Sequence, residues 1–301
     1  MIELKNEKIA IPVVLFAGLL WSFGPLVVRY MDQPNLVPWQ YLFARGITIF
    51  VILNIFLFFD EGKNFYKNYL RIGISGIIGG TGLGIAMITF IWSITNTTAA
   101  ITLLCLAAMP FITALLGFIF LKEKISMNVW LAILIATIGI VIMSIGSNSK
   151  TSIYGLLFGL LSATGFSVFS VTLRWRKETP KFTTVAFAGF FCAIVSAIVM
   201  IENKSSFVSS NYNEGLFAIH GTLVCLGLIL YSIGSKAIPA AELTLLSLTE
   251  VVGGIFWVWL PIFGINEIPS TNTIIGGFFL FVSIFYYSLI MRWNKRYIAL
   301  N

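Results

Sequence analysis

Residues 97–124 read TTAAITLLCLAAMPFITALLGFIFLKEK, twenty-five residues without a formal charge followed by Lys122, Glu123 and Lys124. About 20 mostly apolar residues suffice for a helix to cross a hydrocarbon core of about 30 Å, and a basic cluster at its end belongs at the water interface. The same pattern recurs along the chain. Ten segments have spanning length and composition: 9–31, 37–59, 69–95, 97–121, 127–146, 153–173, 182–201, 215–234, 240–263 and 271–291. The gaps between them are too short for a soluble domain.

Composition agrees with that reading. Of 301 residues, 58% are hydrophobic and 10% charged, with a mean hydropathy of +0.95, whereas soluble domains carry roughly 25% charged residues. No water-soluble fold hides that much apolar surface, so the fold class expected is an all-α integral membrane protein. The net charge of +7 does not point to nucleic acid, because the basic residues sit in short gaps without an aromatic-interleaved groove. Cys105, Cys192 and Cys225 lie inside apolar stretches with no Cys-x-x-Cys spacing and no flanking His, which excludes disulfide and metal frameworks and leaves them as small core residues. The polar start, residues 1–8, leads into a stretch of spanning length with no small-residue cleavage site after it, so it is read as a retained helix.

The basic residues set the orientation. With a cytoplasmic N-terminus, 15 of the 19 Lys and Arg residues fall in inside gaps and tails, Lys150 and Lys204 fall outside, and Arg29 and Arg45 lie within helices. Both termini are expected to face the cytoplasm, which makes this a protein of the cytoplasmic (inner) membrane.

An internal repeat follows from parity. A shift of 141 residues lays Gly18-Leu19-Leu20 on Gly159-Leu160-Leu161 and Ala99-Ala100 on Ala240-Ala241, and a shift of 144 lays the fifth span on the tenth. Five spans per copy is odd, so the second copy must enter the membrane from the opposite side and its charges must move to the opposite loops. They do: the gap holding Asp32, Gln33 and Asn35 has no Lys or Arg, while its counterpart holds Arg174, Arg176, Lys177 and Lys181. Conversely, Lys122 and Lys124 correspond to residues 264–270, which are free of basic residues. The chain therefore divides into 1–148 and 149–301, two inverted five-helix repeats. Such repeats are a mark of secondary transporters, whose substrate sites lie near the midplane between the copies.

The chain also resembles the drug/metabolite transporter superfamily, and within it the EamA-like ten-helix transporters. In the first copy the resemblance rests on Leu20-Trp21-Ser22-Phe23 with Arg29, Pro38 with Arg45, and Thr98-Ala99-Ala100 leading to Pro110 and Lys122-Glu123-Lys124. In the second it rests on Leu248-Thr249-Glu250, Trp257-Val258-Trp259, Glu267-Ile268-Pro269-Ser270 and Gly276-Gly277. The chain departs from the family in a longer run between Trp259 and Glu267, and in Lys124 where Arg is common. The resemblance implies a proton-coupled or facilitative carrier of small organic metabolites, commonly an exporter, with the first, third, fourth, sixth, eighth and ninth helices lining the passage.

Glu250 is the sharpest site candidate, since it falls near the middle of the ninth span, where a charge costs about 2.5–3.5 kcal/mol on insertion scales unless it faces protein or water. Helical spacing puts Ser247, Gly254, Trp257 and Pro261 on its face. The structural alternative is an ion pair with Arg29 or Arg45. Arg45 lies about two turns inside the second span, whereas Arg29 is near enough to an end to snorkel. Glu242, three residues into its helix, is read as a first-turn carboxylate favouring the helix dipole. Trp21 precedes Pro25, which can open its helix toward a cavity. Pro110 can do the same in the fourth span, where Thr102, Cys105, Met109 and Thr113 form one wall. The candidate substrate contacts are thus Glu250, Trp21, Trp257, Arg45, Ser247 and Met109. The glycines at 73, 76, 80 and 84 lack a preceding strand, so they read as a helix-packing face and not a phosphate loop.

Two other classes compete with a carrier. An intramembrane hydrolase could use Gly73-Ile74-Ser75-Gly76 with His220, the only histidine, but the two are expected near opposite ends of their helices. A receptor or assembly subunit needs no polar groups at mid-membrane, which Glu250 and Arg45 would be. No cofactor is expected; the partners expected are a small-molecule solute and the bilayer, with a homodimer as a further candidate. Glu250 beside tryptophan favours a cationic or zwitterionic amine, amino acid or quaternary ammonium compound. The orientation is tested by labelling: a cysteine introduced at Ser149 or Ser209 reacts with an impermeant thiol reagent from outside and one at Asn64 does not, and the reverse pattern overturns it.

Overall fold

The computed structural model of the protein describes residues 6–97, 99–145, 153–176, 178–265, 268 and 270–298. These are helical with no strand among them. Of the residues singled out above, Thr98, Ser149, Lys150, Lys177, Glu267 and Pro269 lie outside the described ones.

The helices, in chain order, are α1 (Glu7–Trp21), α2 (Gly24–Tyr30), α3 (Pro38–Glu61), α4 (Lys67–Leu70), α5 (Gly73–Asn96), α6 (Ala99–Leu106) and α7 (Met109–Leu116) in the first half. The second half adds α9 (Ile153–Trp175), α10 (Lys181–Glu202), α11 (Asn211–Gly234), α12 (Ala240–Ser247) and α13 (Thr249–Trp259), while α8 (Met127–Ile145) and α14 (Thr271–Ile298) close the respective halves. Starts follow local chemistry: Asn6 caps α1 by accepting from the Lys8 N–H at 3.0 Å, and Pro38 opens α3. At α11, Ser210 accepts from the Asn213 N–H while Glu214 accepts from the Ser209 N–H, a reciprocal cap.

Seven of the described stretches are long and apolar enough to cross a membrane: Glu7–Tyr30, Pro38–Asn64, Gly73–Asn96, Ile153–Trp175, Lys181–Glu202, Asn211–Gly234 and Ala240–Trp259. The other three expected spans contain shorter apolar helices, Met109–Leu121, Met127–Gly139 and Ile274–Tyr287. Large apolar side chains such as Phe111, Leu134, Val141, Ile198, Phe278 and Phe281 lie on the outer surface. Water would reject such a ring, and hydrocarbon accepts it. The protein is multi-pass.

Three spans are interrupted. Pro25 accounts for the break at 22–23 between α1 and α2, and Pro110 for that at 107–108 between α6 and α7, since each lacks an N–H and crowds the preceding turn. The third was not anticipated: the ninth span, expected to run unbroken over 240–263, is interrupted at Leu248 and ends at Trp259. No proline lies there. Ser247 Oγ donates to the Thr244 carbonyl at 2.8 Å, and Thr249 Oγ donates to Leu246 O at 3.1 Å and across to Leu15 O at 3.3 Å. Hydroxyls bonding back to the helix's own carbonyls bend it. The third span also differs, starting at Gly73 after the separate short helix α4.

The two halves interleave: α5 packs on α9 and α10, α3 on α10 and α11, α1 on α11, and α8 on α14. Glycines permit the closest crossings. A Cβ at Gly82 would sit 2.9 Å from the Gly165 carbonyl oxygen and one at Gly165 would sit 2.5 Å from that of Gly82, while Gly46 and Gly189 face each other with 2.6 and 2.8 Å in the same sense. Backbone meets backbone at both places, as small-residue helix interfaces in membranes do. The glycine face of α5 is realised too, with Gly80 against α10. Gly165→Val overpacks such a crossing, and a loss of about 1–3 kcal/mol is expected, read as a lower unfolding midpoint of the detergent-solubilised protein. Gly277→Ala, where a Cβ meets nothing within 4 Å, loses none, and equal midpoints for the two variants would sink the packing account.

Candidate functional site

At the meeting of the interrupted helices lies a cavity lined by residues of α1, α3, α5, α6, α7, α9, α11 and α13. Trp21, Arg45, Met109 and Glu250 line it together. Trp21 is the last residue of α1, Leu106 the last of α6, Met109 the first of α7, and Glu250 the second of α13, so four lining residues stand at the edges of the breaks.

Each side chain is held by a different element. The Trp21 indole N–H donates to the Val224 carbonyl at 3.2 Å, and its ring packs edge-on to Phe166 at 5.5 Å and tilted on Tyr231 at 5.4 Å. A Cβ at Gly227 would overlap that indole, so α11 must carry glycine there. Arg45, 3% exposed, donates from Nη2 to the Met87 carbonyl at 2.8 Å and from Nη1 to the Tyr41 hydroxyl at 3.4 Å, the second a long bond. Its Nε is buried without a hydrogen-bond partner. Tyr41 in turn bonds His220 Nδ1, with the two rings stacked at 5.7 Å and an interplanar angle of 16°. Glu250 makes no hydrogen bond or ion pair among the described residues. The ion pair between Glu250 and Arg45, weighed as the structural alternative, is therefore not formed, although both groups line one cavity.

Two of the candidate contacts lie elsewhere. Because the ninth span is interrupted, the face expected to carry Ser247, Glu250 and Trp257 does not persist. Ser247 is fully buried and its hydroxyl is spent on Thr244. Trp257 donates to Ser22 Oγ at 2.7 Å, stacks on Phe23 at 4.8 Å and lines a second, apolar groove with Leu15, Phe256 and Phe285. The wall expected below Pro110 contributes only Met109: Thr102 bonds Ser93 at 2.8 Å, Cys105 packs against Gly159, and Thr113 is buried at a separate pocket.

Several lining residues went unread in the sequence. His220 was placed toward the outer end of its helix, yet it lines the cavity beside Arg45. Its isolation as the only histidine of an apolar chain is a signal of sorts, but nothing local says that Tyr41, 179 residues away, will hold it. Ser75, the other half of the hydrolase pattern, bonds the Thr179 hydroxyl and not a histidine, so the pair that nucleophilic catalysis needs is not assembled.

One end of the bundle is closed by an ion pair, Arg174 Nε to Glu123 Oε1 at 2.6 Å. Glu123 Oε2 also accepts from the Ala240 N–H at 3.1 Å, and Arg174 Nη1 donates to the carbonyls of Ser235 and Ile238 at 2.8 and 2.7 Å. The Ala240 N–H at the start of α12 is thus taken by Glu123, and Glu242 lies in the first turn as expected. The Glu242 side chain accepts from the Tyr287 hydroxyl of α14. At the opposite end Asn213 clasps the backbone of Asp32, accepting from its N–H at 2.9 Å and donating to its carbonyl at 3.1 Å.

The chain is similar in sequence and in fold to known proteins. Residues 8–145 match the EamA-like transporter family. An uncharacterised transporter of Helicobacter pylori strain J99 is 25% identical over 54% of this chain and 52% of its own length, so the alignment spans about half of that relative. A second from Helicobacter pylori strain 26695 is 23% identical over 80% of each chain, and the pseudopaline exporter CntI of Pseudomonas aeruginosa is 27% identical over 58% of this chain and 60% of its own. A crystal structure of a protein 20% identical in sequence superposes with a TM-score of 0.74, covering 94% of this chain and 97% of that one, a likeness of fold. Over residues 8–145 the chain is thus similar to the EamA-like transporter family.

Proposed function

We propose that the chain is a secondary carrier that moves a small organic cation or zwitterion across the cytoplasmic membrane by alternating access, with Glu250 as its chemical centre. The observation that carries this reading is the cavity itself: Arg45 and Glu250 share it, and Glu250 makes no hydrogen bond or ion pair among the described residues. An ionisable group at membrane depth is costly and marks a pathway unless it is neutralised by the protein. Here a solute supplies what the protein does not.

The architecture we propose is ten spans in two inverted copies, 1–148 and 149–301, both termini cytoplasmic. Four pairs of lining residues support it: Trp21 and Ser162, Leu83 and Val224, Met87 and Leu228, and Met109 and Glu250 each stand 141 residues apart. The breaks support it too, since Ala107 and Leu248 are separated by the same 141. A site shared by equivalent positions of two copies sits between them, where rocking of one copy against the other exposes it to each side in turn. On this reading the Glu123–Arg174 pair shuts the cytoplasmic mouth. The partners are the solute and the bilayer, with no role for nucleic acid and with a homodimer compatible with the lipid-facing surface.

Glu250→Gln keeps the shape of the side chain and removes its charge. In proteoliposomes it should abolish or strongly impair uptake and counterflow of a cationic or zwitterionic solute found by panel screening, while the protein still inserts and purifies as folded. Undiminished transport by Glu250→Gln, or a multivalent anion as the solute, would end the proposal.

A further inference from the structure

We infer that the groove between α1, α13 and α14 is a binding site for an anionic phospholipid, one acyl chain lying along the groove and the phosphate meeting Lys8 of α1 and Arg292 of α14 at its end. The groove shares no lining residue with the central cavity, and the inference stands apart from the carrier reading.

The walls of the groove suit hydrocarbon. No Asp, Glu, Lys or Arg lines it. Its two polar side chains are already engaged: the Thr249 hydroxyl bonds the Leu246 and Leu15 carbonyls, and the Trp257 indole N–H donates to Ser22 Oγ at 2.7 Å. Ordered water needs about two to four polar partners to settle in a cavity, and these walls do not supply them. The groove also opens toward the membrane. Phe281 and Phe285, stacked at 6.1 Å, are each 55% exposed, and Leu19 and Phe256 are exposed as well.

Charge at one end of the groove selects the headgroup. On α1 the lining residues Ile11, Pro12 and Leu15 follow Lys8 by three, four and seven positions, so one helical stripe runs from that exposed lysine into the groove. On α14 Arg292 follows the lining residues Leu289 and Phe285 by three and seven positions, and Arg296 follows them by seven and eleven, which continues that stripe in the same way. The two basic ends belong together, because Glu7 acts electrostatically on Tyr287 and Glu242 and so sets the start of α1 beside the latter part of α14. Glu7 itself is one residue off the α1 stripe. Basic residues where a helix leaves the hydrocarbon attract anionic headgroups, and each raises the affinity about fivefold. An apolar trough that ends under Lys8 and Arg292 therefore complements a chain and a phosphate at once, whereas a zwitterionic lipid brings its own cation to the same place.

The test uses the purified full chain in dodecyl maltoside micelles and follows its unfolding midpoint as dioleoyl phosphatidylglycerol or dioleoyl phosphatidylcholine is added. The anionic lipid should raise the midpoint saturably, and the zwitterionic lipid should not do so at the same mole fractions. Lys8→Gln together with Arg292→Gln should weaken the anionic lipid at least about tenfold. Lys63→Gln together with Lys67→Gln removes the same charge away from the groove and should change its affinity less than about twofold. The single variants Lys8→Gln and Arg292→Gln, each expected to cost about fivefold, keep the test standing if the pair does not purify as folded. The chain is located with phosphatidylglycerol brominated on its acyl chains, a contact quencher of indole fluorescence: the quenching lost in Trp257→Phe should saturate over the same mole fractions as the midpoint shift. The site is overturned if the two lipids stabilise alike, if the two double variants weaken the anionic lipid equally, or if Trp257 is not quenched. A second copy of the chain in the groove would show as that last outcome, with a doubled mass in light scattering.

Discussion

Hydrocarbon offers a polypeptide backbone no hydrogen bonds, and the structure is organised by that constraint. A span must satisfy its own N–H and C=O groups, so an interruption is tolerated only where it is buried in protein or borders a polar space. Three spans are interrupted, and the residues flanking the gaps, Trp21, Leu106, Met109 and Glu250, are cavity-lining residues. The breaks and the site are one feature. Proline makes two of them, and at the third the hydroxyls of Ser247 and Thr249 do related work by bonding back into the turn before.

The same constraint explains where polar side chains may sit. Ser, Thr and Asn residues inside the spans mostly return their donors to carbonyls of their own helix, as Thr48, Asn54, Thr89 and Ser196 do at 2.7 to 2.8 Å. Those that cross between helices do so at fixed joints, such as Ser162 to the Ala86 carbonyl at 2.9 Å and Ser283 to that of Ala132 at 2.6 Å. Arg45 Nε finds no hydrogen-bond partner among the described residues, and neither do Trp92 Nε1, Thr113 Oγ1, Thr183 Oγ1 or Ser232 Oγ. The ends of the bundle follow different rules because water reaches them. The Glu123 and Arg174 side chains are 20% and 23% exposed, and at such exposure their Coulomb attraction alone is modest. Their weight comes from the backbone groups they collect, the Ala240 N–H on one side and the carbonyls of residues 235–238 on the other.

Much of this was legible in the sequence. Segment length and composition announced an all-helical membrane protein, and Pro25 and Pro110 announced two of the breaks. Local spacing also brought forward four residues that share the cavity, Trp21, Arg45, Met109 and Glu250. Glu242 stands in the first turn of its helix as expected, whereas the face shared by Ser247, Glu250 and Trp257 assumed an unbroken ninth helix, which the structure interrupts. At the break Thr249 also bonds Leu15, 234 residues away, and the first N–H of α12 bonds a carboxylate 117 residues upstream, partners that local spacing does not reveal.

What the sequence by itself determined is therefore whatever the bilayer enforces locally: which segments lie in hydrocarbon, where proline forbids a continuous helix, and which ionisable residues are too costly to face lipid. What only the tertiary structure decided is which of those residues meet. Tyr41 and His220 are ordinary members of two apolar helices until α3 and α11 pack side by side, and Arg45 and Glu250 acquire a common cavity without a common bond only when both halves are in place. Helical periodicity assigns faces within one segment; contacts between segments 179 or 205 residues apart follow from how glycine-lined surfaces interlock, which no single segment encodes.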